Sequence, residues 1–223
     1  MASRRQDIER GPPPGNRAAC TGPAAVSSTR VPFHLPGMTI GLFGGSFNPP
    51  HAAHRAVSLL GLKRIGLDRI WWLVTPGNPL KDTRQLPPLG ERVAAARQLV
   101  RHPRIDVTGL EALSGTRYSY ETAAWLVRRC PGVHFVWIMG ADNLASFHLW
   151  RNWQGLAALM PLAIVDRDGT QHALASPAAR RLAASRIPET MAGRLPFLPP
   201  PVWVFLHGLK SPLSSSSLRH RFG

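Results

Sequence analysis

From Met38 onward the chain alternates between short, continuous apolar runs and longer segments in which apolar residues return every three or four positions. MTIGLF (38–43), IWWLVT (70–75), IDVTGL (105–110), VHFVWIMG (133–140), LAIVDR (162–167) and PVWVFLHG (201–208) have the length and content of buried strands. Helical spacing marks 52–62, 90–100, 120–129, 150–160 and 177–185. A last segment, LSSSSLRHRF (213–222), reads as a terminal helix with serine at its start. Strands that are apolar throughout must be covered on both faces, and helices between successive strands supply that cover. The pattern predicts an α/β fold, a doubly wound and mostly parallel sheet with helices on both faces, in one domain over 38–223. RLPFLPPP (194–201) reads as a loop into the last strand.

Residues 1–37 follow neither period. They hold six prolines, four glycines and five arginines, too little apolar surface to offset the entropy of ordering them. The segment is predicted to be a disordered leader. Met38 stands directly before the first strand, so it is a candidate natural start of translation.

Composition narrows the class. With 44% apolar and 17% charged residues the chain is globular, and 223 residues bury a core without disulfide or metal support. Cys20 and Cys130, its two cysteines, show no metal-ligand or disulfide spacing. No apolar run approaches the roughly 20 residues of a membrane span, and the basic N-terminus lacks a secretory apolar core. A cytoplasmic protein is expected. The net charge of +15 points to anionic partners, nucleic acid, nucleotides or acidic metabolites, without choosing among them.

The choice comes from GLFGGSFNPPHAAH (41–54), at the carboxyl end of the first strand, where parallel sheets bind ligands. Gly44 and Gly45 would let backbone approach a ligand and take positive φ. The helix that follows presents free N–H groups and the positive end of its dipole, a setting for phosphate. His51 and His54 fall at i and i+3, so both imidazoles can face one phosphate chain and stabilise charge developing on it. No third ligand nearby completes a metal site from this pair. The stretch is neither a Rossmann G-x-G-x-x-G nor a P-loop.

GGSFNPPHAAH resembles the G-G-[ST]-F-[DN]-P-x-H-x-[GA]-H signature of the nucleotidyltransferase superfamily. Further stretches are similar to those of the bacterial nicotinate-nucleotide adenylyltransferases: TPGNPLKD (75–82), RYSYETAAWL (117–126), FVWIMGADNLASFHLWRNW (135–153) and LSSSSLR (213–219). This resemblance implies a Rossmann-like nucleotidyltransferase fold and transfer of the adenylyl group of ATP to nicotinate mononucleotide, giving deamido-NAD and pyrophosphate. It implies catalytic roles for His51, His54, Lys81 and Arg219. It assigns ATP and phosphate binding to Gly44, Gly45, Ser46, Asp142, Ser214, Ser215 and Ser216. Acceptor binding falls to Asn48, Ser119, Tyr120, Thr122, Trp150 and Arg151, with backbone near Arg117 and Arg151 meeting the nicotinate carboxylate. Mg²⁺ is expected to arrive with ATP, with no protein cage of its own. ATP and nicotinate mononucleotide are the expected partners, with neither nucleic acid nor membrane; a homo-oligomer stays open.

The chain departs from the family pattern at Asn48, where aspartate is commoner, and at Leu80, where many relatives carry histidine. It also ends four residues after Arg219. Nicotinamide mononucleotide and phosphopantetheine are the alternative acceptors, the latter disfavoured by the tryptophans at 150 and 153. A basic nucleic-acid-binding protein is the alternative of another class. It would interleave aromatic and basic residues on exposed strands, whereas here the aromatics sit within apolar runs.

Overall fold

The computed structural model describes residues 29–77, 86–166 and 171–208. Seven strands form one sheet: β1 (Thr39–Gly45), β2 (Arg69–Val74), β3 (Ile105–Thr108), β4 (His134–Gly140), β5 (Leu162–Val165), β6 (Arg186–Ile187) and β7 (Trp203–Leu206). Their order is β3-β2-β1-β4-β5-β7-β6, and every pairing is parallel. The winding reverses between β1 and β4. The crevice beyond their carboxyl ends is therefore the switch point at which such sheets bind ligands.

Side chains alternate across each strand and divide the core in two. Ile40, Leu42, Trp71, Leu73, Trp137, Met139 and Ile164 face one cluster. Helices α3 (Leu110–Ser114), α4 (Ser119–Arg129), α5 (Ala141–Ser146), α6 (Trp153–Leu159) and α7 (Pro177–Arg181) cover it. Phe43, Ile70, Trp72, Val136, Ile138 and Val165 face the other. That face is covered by α1 (Ala52–Arg64), α2 (Leu89–Val100) and a 3₁₀ run over Glu189–Phe197. The double-sided burial expected from the apolar runs is present on both faces, and all six anticipated strands are found.

The differences have local causes. β6 is two residues long and not buried, so it leaves no apolar run to read. The helix expected over 150–160 starts at Trp153, because Asn152 takes a left-handed conformation with φ 52°. The helix over 177–185, capped by the Ser176 hydroxyl accepting from the Ala179 amide at 3.2 Å, stops at Arg181 and resumes as a 3₁₀ turn. Much of RLPFLPPP lies in the 3₁₀ run rather than in a loop. The terminal helix expected over 213–222 lies outside the described residues.

The leader reading needs correction over 29–37, because that stretch packs on the domain. Val31 joins the first core, and the Arg30 carbonyl accepts from the Thr108 hydroxyl at 2.9 Å. The His34 ring meets Trp71 edge-on with centroids 5.8 Å apart, and the Gly37 amide donates to the Gly132 carbonyl at 2.7 Å. A few apolar contacts along a preformed surface suffice where composition alone predicts none.

A Cβ on Gly41 would lie 2.5 Å from Ile138 Cδ1 and 2.8 Å from Leu67 Cδ1. One on Gly61, in the C-terminal half of α1, would meet the same Ile138 Cδ1 at 3.4 Å. The two glycines leave room for Ile138 between β1 and that half of α1.

Candidate active site

The loop from Ser46 to Pro50 follows β1 into the crevice. Gly44 and Gly45 are the last residues of β1, paired with Leu73 and Val74, and they do not take the positive φ anticipated for them. Their lack of a side chain serves space instead: a Cβ on Gly44 would sit 3.3 Å from the Trp137 ring, and one on Gly45 3.4 Å from the Phe47 ring. The left-handed residue is Phe47, with φ 46°, a costly conformation for a bulky side chain. Burial holds it there. Phe47 is 1% exposed, stacks on Trp72 at 4.7 Å with planes 12° apart and meets Phe43 edge-on. Asn48, followed by a cis bond to Pro49, and Ser46 are half-buried on either side of that plug in the chain.

His51 is the N-cap of α1 and His54 its third residue. His51 is buried at 4% exposure, and the two rings lie 3.8 Å apart between centroids, tilted by 31°. His54 packs on Phe47 at 4.8 Å. Its Nδ1 accepts the backbone N–H of His51 at 3.2 Å, a capping-box geometry in which the third residue reaches back to the cap. An accepting Nδ1 places the proton of the neutral ring on Nε2, leaving that nitrogen as the donor. The rotation of α1 is fixed by a relay. Trp72 Nε1–H donates to Ser58 Oγ at 2.7 Å, and Ser58 Oγ–H donates to the His54 carbonyl at 3.0 Å.

Two buried ionisable side chains support the loops. Arg92 of α2, 3% exposed, donates to the carbonyls of Ser46, Thr75, Pro76 and Pro87 at 2.8 to 3.2 Å; desolvation lowers its pKa below the ordinary arginine value. Glu111 of α3 accepts from the Thr122 hydroxyl at 3.1 Å. Burial raises its pKa above the ordinary 4.5, while hydrogen bonds from Thr75 and Thr122 act the other way.

The remaining site residues predicted from sequence are brought to the same end of the sheet in part. Asp142 is exposed in the first turn of α5, directly after β4, the strand next to β1. Trp150 is half-buried, edge-on to Phe147 at 5.3 Å. Arg151 is exposed, with its guanidinium 4.7 Å over the Tyr118 ring. Ser119 opens α4, just after Tyr118. Tyr120 packs against the first core instead. Thr122 is fully buried, its hydroxyl bonded to Glu111 and, at 2.9 Å, to Thr116, so it braces α3 against α4 and offers no contact to an acceptor. The Arg117 amide donates to the Glu121 carboxylate at 3.2 Å, where the resemblance had it facing the nicotinate group. Lys81, Arg219, Ser214, Ser215, Ser216 and Leu80 lie outside the described residues.

Comparison with known proteins decides the family. The model of the cytidylyltransferase-like family matches residues 42–221. A protein of a Bradyrhizobium species, named "Probable nicotinate-nucleotide adenylyltransferase", is 58% identical over 83% of this chain and 97% of its own length. One of the same name from Methylorubrum extorquens is 57% identical over 82% of this chain and all of its own. The chain belongs to the nicotinate-nucleotide adenylyltransferase family. Its fold is also that of the Plasmodium falciparum nicotinic acid mononucleotide adenylyltransferase complexed with NaAD, with a TM-score of 0.62 at 18% identity, covering 82% of this chain and 83% of that one.

Within this adenylyltransferase, Arg92, Glu111, Tyr118, Phe47 and the Ser58–Trp72 pair escaped the sequence reading. Arg92 left one signal: it sits on the apolar stripe of Leu89, Val93, Ala96 and Val100, a position where a solvated charge does not belong. Trp72 left none, since one apolar strand residue reads like another.

Proposed function

We propose that the protein transfers the adenylyl group of ATP to nicotinate mononucleotide, releasing pyrophosphate and giving deamido-NAD. The observation that carries this reading is the pair of imidazoles 3.8 Å apart at the start of α1, over the switch point of the sheet. An oxygen of the acceptor's 5′-phosphate attacks the α-phosphorus in line, and the bond from that phosphorus to the pyrophosphate oxygen breaks. The nucleophile is already ionised, so no side chain forms a covalent intermediate, and catalysis rests on placing two polyanions and balancing developing charge.

His54 Nε2–H and the adjacent His51 ring stabilise that charge, while Gly44, Gly45 and Ser46 admit the phosphates. Asp142 at the end of β4 is assigned to the ATP side. Trp150, Arg151 and Ser119 frame the acceptor side, and Asn48 turns the loop between the two. By resemblance, Lys81, Arg219 and Ser214–Ser216 complete the triphosphate site. Among the described residues no three His, Cys, Asp or Glu gather into a metal cage. Mg²⁺ would arrive on ATP oxygens, where it would neutralise phosphate charge. The +15 charge steers both anionic substrates. The nucleic-acid reading loses support because Trp71, Trp72 and Trp137 are buried in the core and offer no stacking platform. Among the described residues no helix is long and apolar enough to cross a membrane; a cytoplasmic enzyme is the reading that follows from the substrates.

The test is pyrophosphate release with ATP, Mg²⁺ and either nicotinate or nicotinamide mononucleotide. Preferential turnover of the nicotinate form is expected. Preference for the amide, or no release with either, overturns the assignment.

A further inference from the structure

One guanidinium joins the two loops that form the floor of the crevice. Arg92 Nη1 donates to the Ser46 carbonyl at 2.8 Å and to the Thr75 carbonyl at 2.8 Å. Nη2 reaches the Pro76 carbonyl at 3.2 Å and Nε the Pro87 carbonyl at 2.9 Å. Ser46 follows β1, Thr75 and Pro76 follow β2, and Pro87 precedes α2. The Thr75 amide donates to the Gly45 carbonyl at 3.0 Å, so the two loops are also stitched directly. Within a trans peptide the C=O and N–H point in opposite directions. Holding the Ser46 carbonyl towards Arg92 therefore turns the Phe47 N–H away from α2 and fixes the peptide plane next to the left-handed residue.

We propose that Arg92 is a positioning residue for adenylyl transfer, clamping the Ser46 peptide of the phosphate loop to the Thr75–Pro76 turn without touching substrate. The proposal rests on the adenylyltransferase reading above. Arginine suits the role because its planar fork addresses several carbonyls in fixed directions, whereas a lysine ammonium is a point charge on a flexible stem. The surrounding carbonyls carry partial negative charge and keep the buried cation hydrogen-bonded, as a buried charge requires. The Thr75 hydroxyl donates to the Gly77 carbonyl at 3.0 Å, so the same turn is also closed on itself.

The experiment compares the full chain with its Arg92→Lys and Arg92→Ala variants. Turnover is measured at saturating substrates, KM for ATP separately, and hydrogen exchange of the amides at 44–47, 75 and 77 without substrate. Displacement of a catalytic loop by about 1 Å can cost on the order of 100-fold, so Arg92→Lys should lose roughly 10- to 100-fold in kcat per folded molecule. An interaction that acts through orientation leaves KM for ATP within about threefold. Exchange should speed up in both loops together, and added guanidinium should restore part of the Arg92→Ala activity. Wild-type kcat in Arg92→Lys, or a loss that merely tracks the unfolded fraction seen by near-UV circular dichroism, overturns the proposal. If the parent protein turns over neither mononucleotide, the functional reading fails on its own. The paired exchange response then decides the clamp, and unchanged exchange in either loop refutes it.

Discussion

Replacing His54 separates two jobs that the structure assigns to one ring. Its Nδ1 accepts the His51 amide at 3.2 Å, and loss of a helix cap costs about 0.5 to 2 kcal/mol. Its ring packs on Phe47 at 4.8 Å, a contact worth about 0.5 to 1.5 kcal/mol. His54→Ala should therefore lose about 1 to 3.5 kcal/mol of stability. At 2 to 4 °C per kcal/mol for a chain of this size, that is a fall in Tm of roughly 2 to 14 °C. Loss of a donor to transition-state charge costs about 2.7 to 4 kcal/mol, or 10²- to 10³-fold in kcat. His54→Gln distinguishes the two losses, because glutamine at the third helical position also reaches back to the cap amide but carries no imidazole. It should recover the capping share of stability and none of the turnover. The assays are urea denaturation of both variants and pyrophosphate release at saturating ATP and nicotinate mononucleotide. A glutamine variant within threefold of wild-type kcat would show that His54 is a cap and nothing more.

Gly41→Ala should destabilise by about 1 to 3 kcal/mol through overpacking, since its Cβ would lie 2.5 Å from Ile138 Cδ1; an unchanged thermal midpoint would mean that Ile138 and Leu67 move aside without cost. Burial raises the Glu111 pKa above the ordinary carboxylate value, so the folded chain keeps this proton to higher pH than the unfolded chain does. Its contribution to stability is complete below the ordinary carboxylate range and fades as pH rises through the raised value. Glu111→Gln should flatten that decline, gaining on wild type in denaturation midpoints taken from about pH 4 to 8, and parallel curves would refute it. Deleting 1–37 should lower Tm by removing Val31 and His34 from the face that covers Trp71, whereas deleting 1–28 leaves those contacts; equal midpoints for the two truncations count against the packing of 29–37.

The strands were legible because burial on both faces leaves nothing but apolar residues in them, as IWWLVT shows, and β6 was not because two partly exposed residues leave no run. The phosphate loop was legible as a place through its glycines and histidines, but its backbone was misassigned. Propensity put the left-handed residue at Gly44 or Gly45, and the tertiary burial of the Phe47 ring put it at residue 47. The roles of Arg92 and Glu111 were not legible, since the carbonyls and hydroxyls that satisfy them come from other segments of the chain. Thr122 shows the converse: its motif position was visible in sequence, and the inward direction of its hydroxyl was not.

Trp72 fills the second core as any large apolar residue would, yet its indole N–H, through Ser58, holds the carbonyl of His54. Apolar contact has no preferred direction, so a helix resting on it can roll; a hydrogen bond cannot be satisfied at an arbitrary roll angle. The indole thus works as a goniometer stop for the histidine pair. A ranking of substitutions by hydrophobicity or volume would class Trp72→Phe as mild. In a chain of this family, the angular tolerance of the active site and the filling of the core are separate quantities carried by one side chain, and stability screens see only the second.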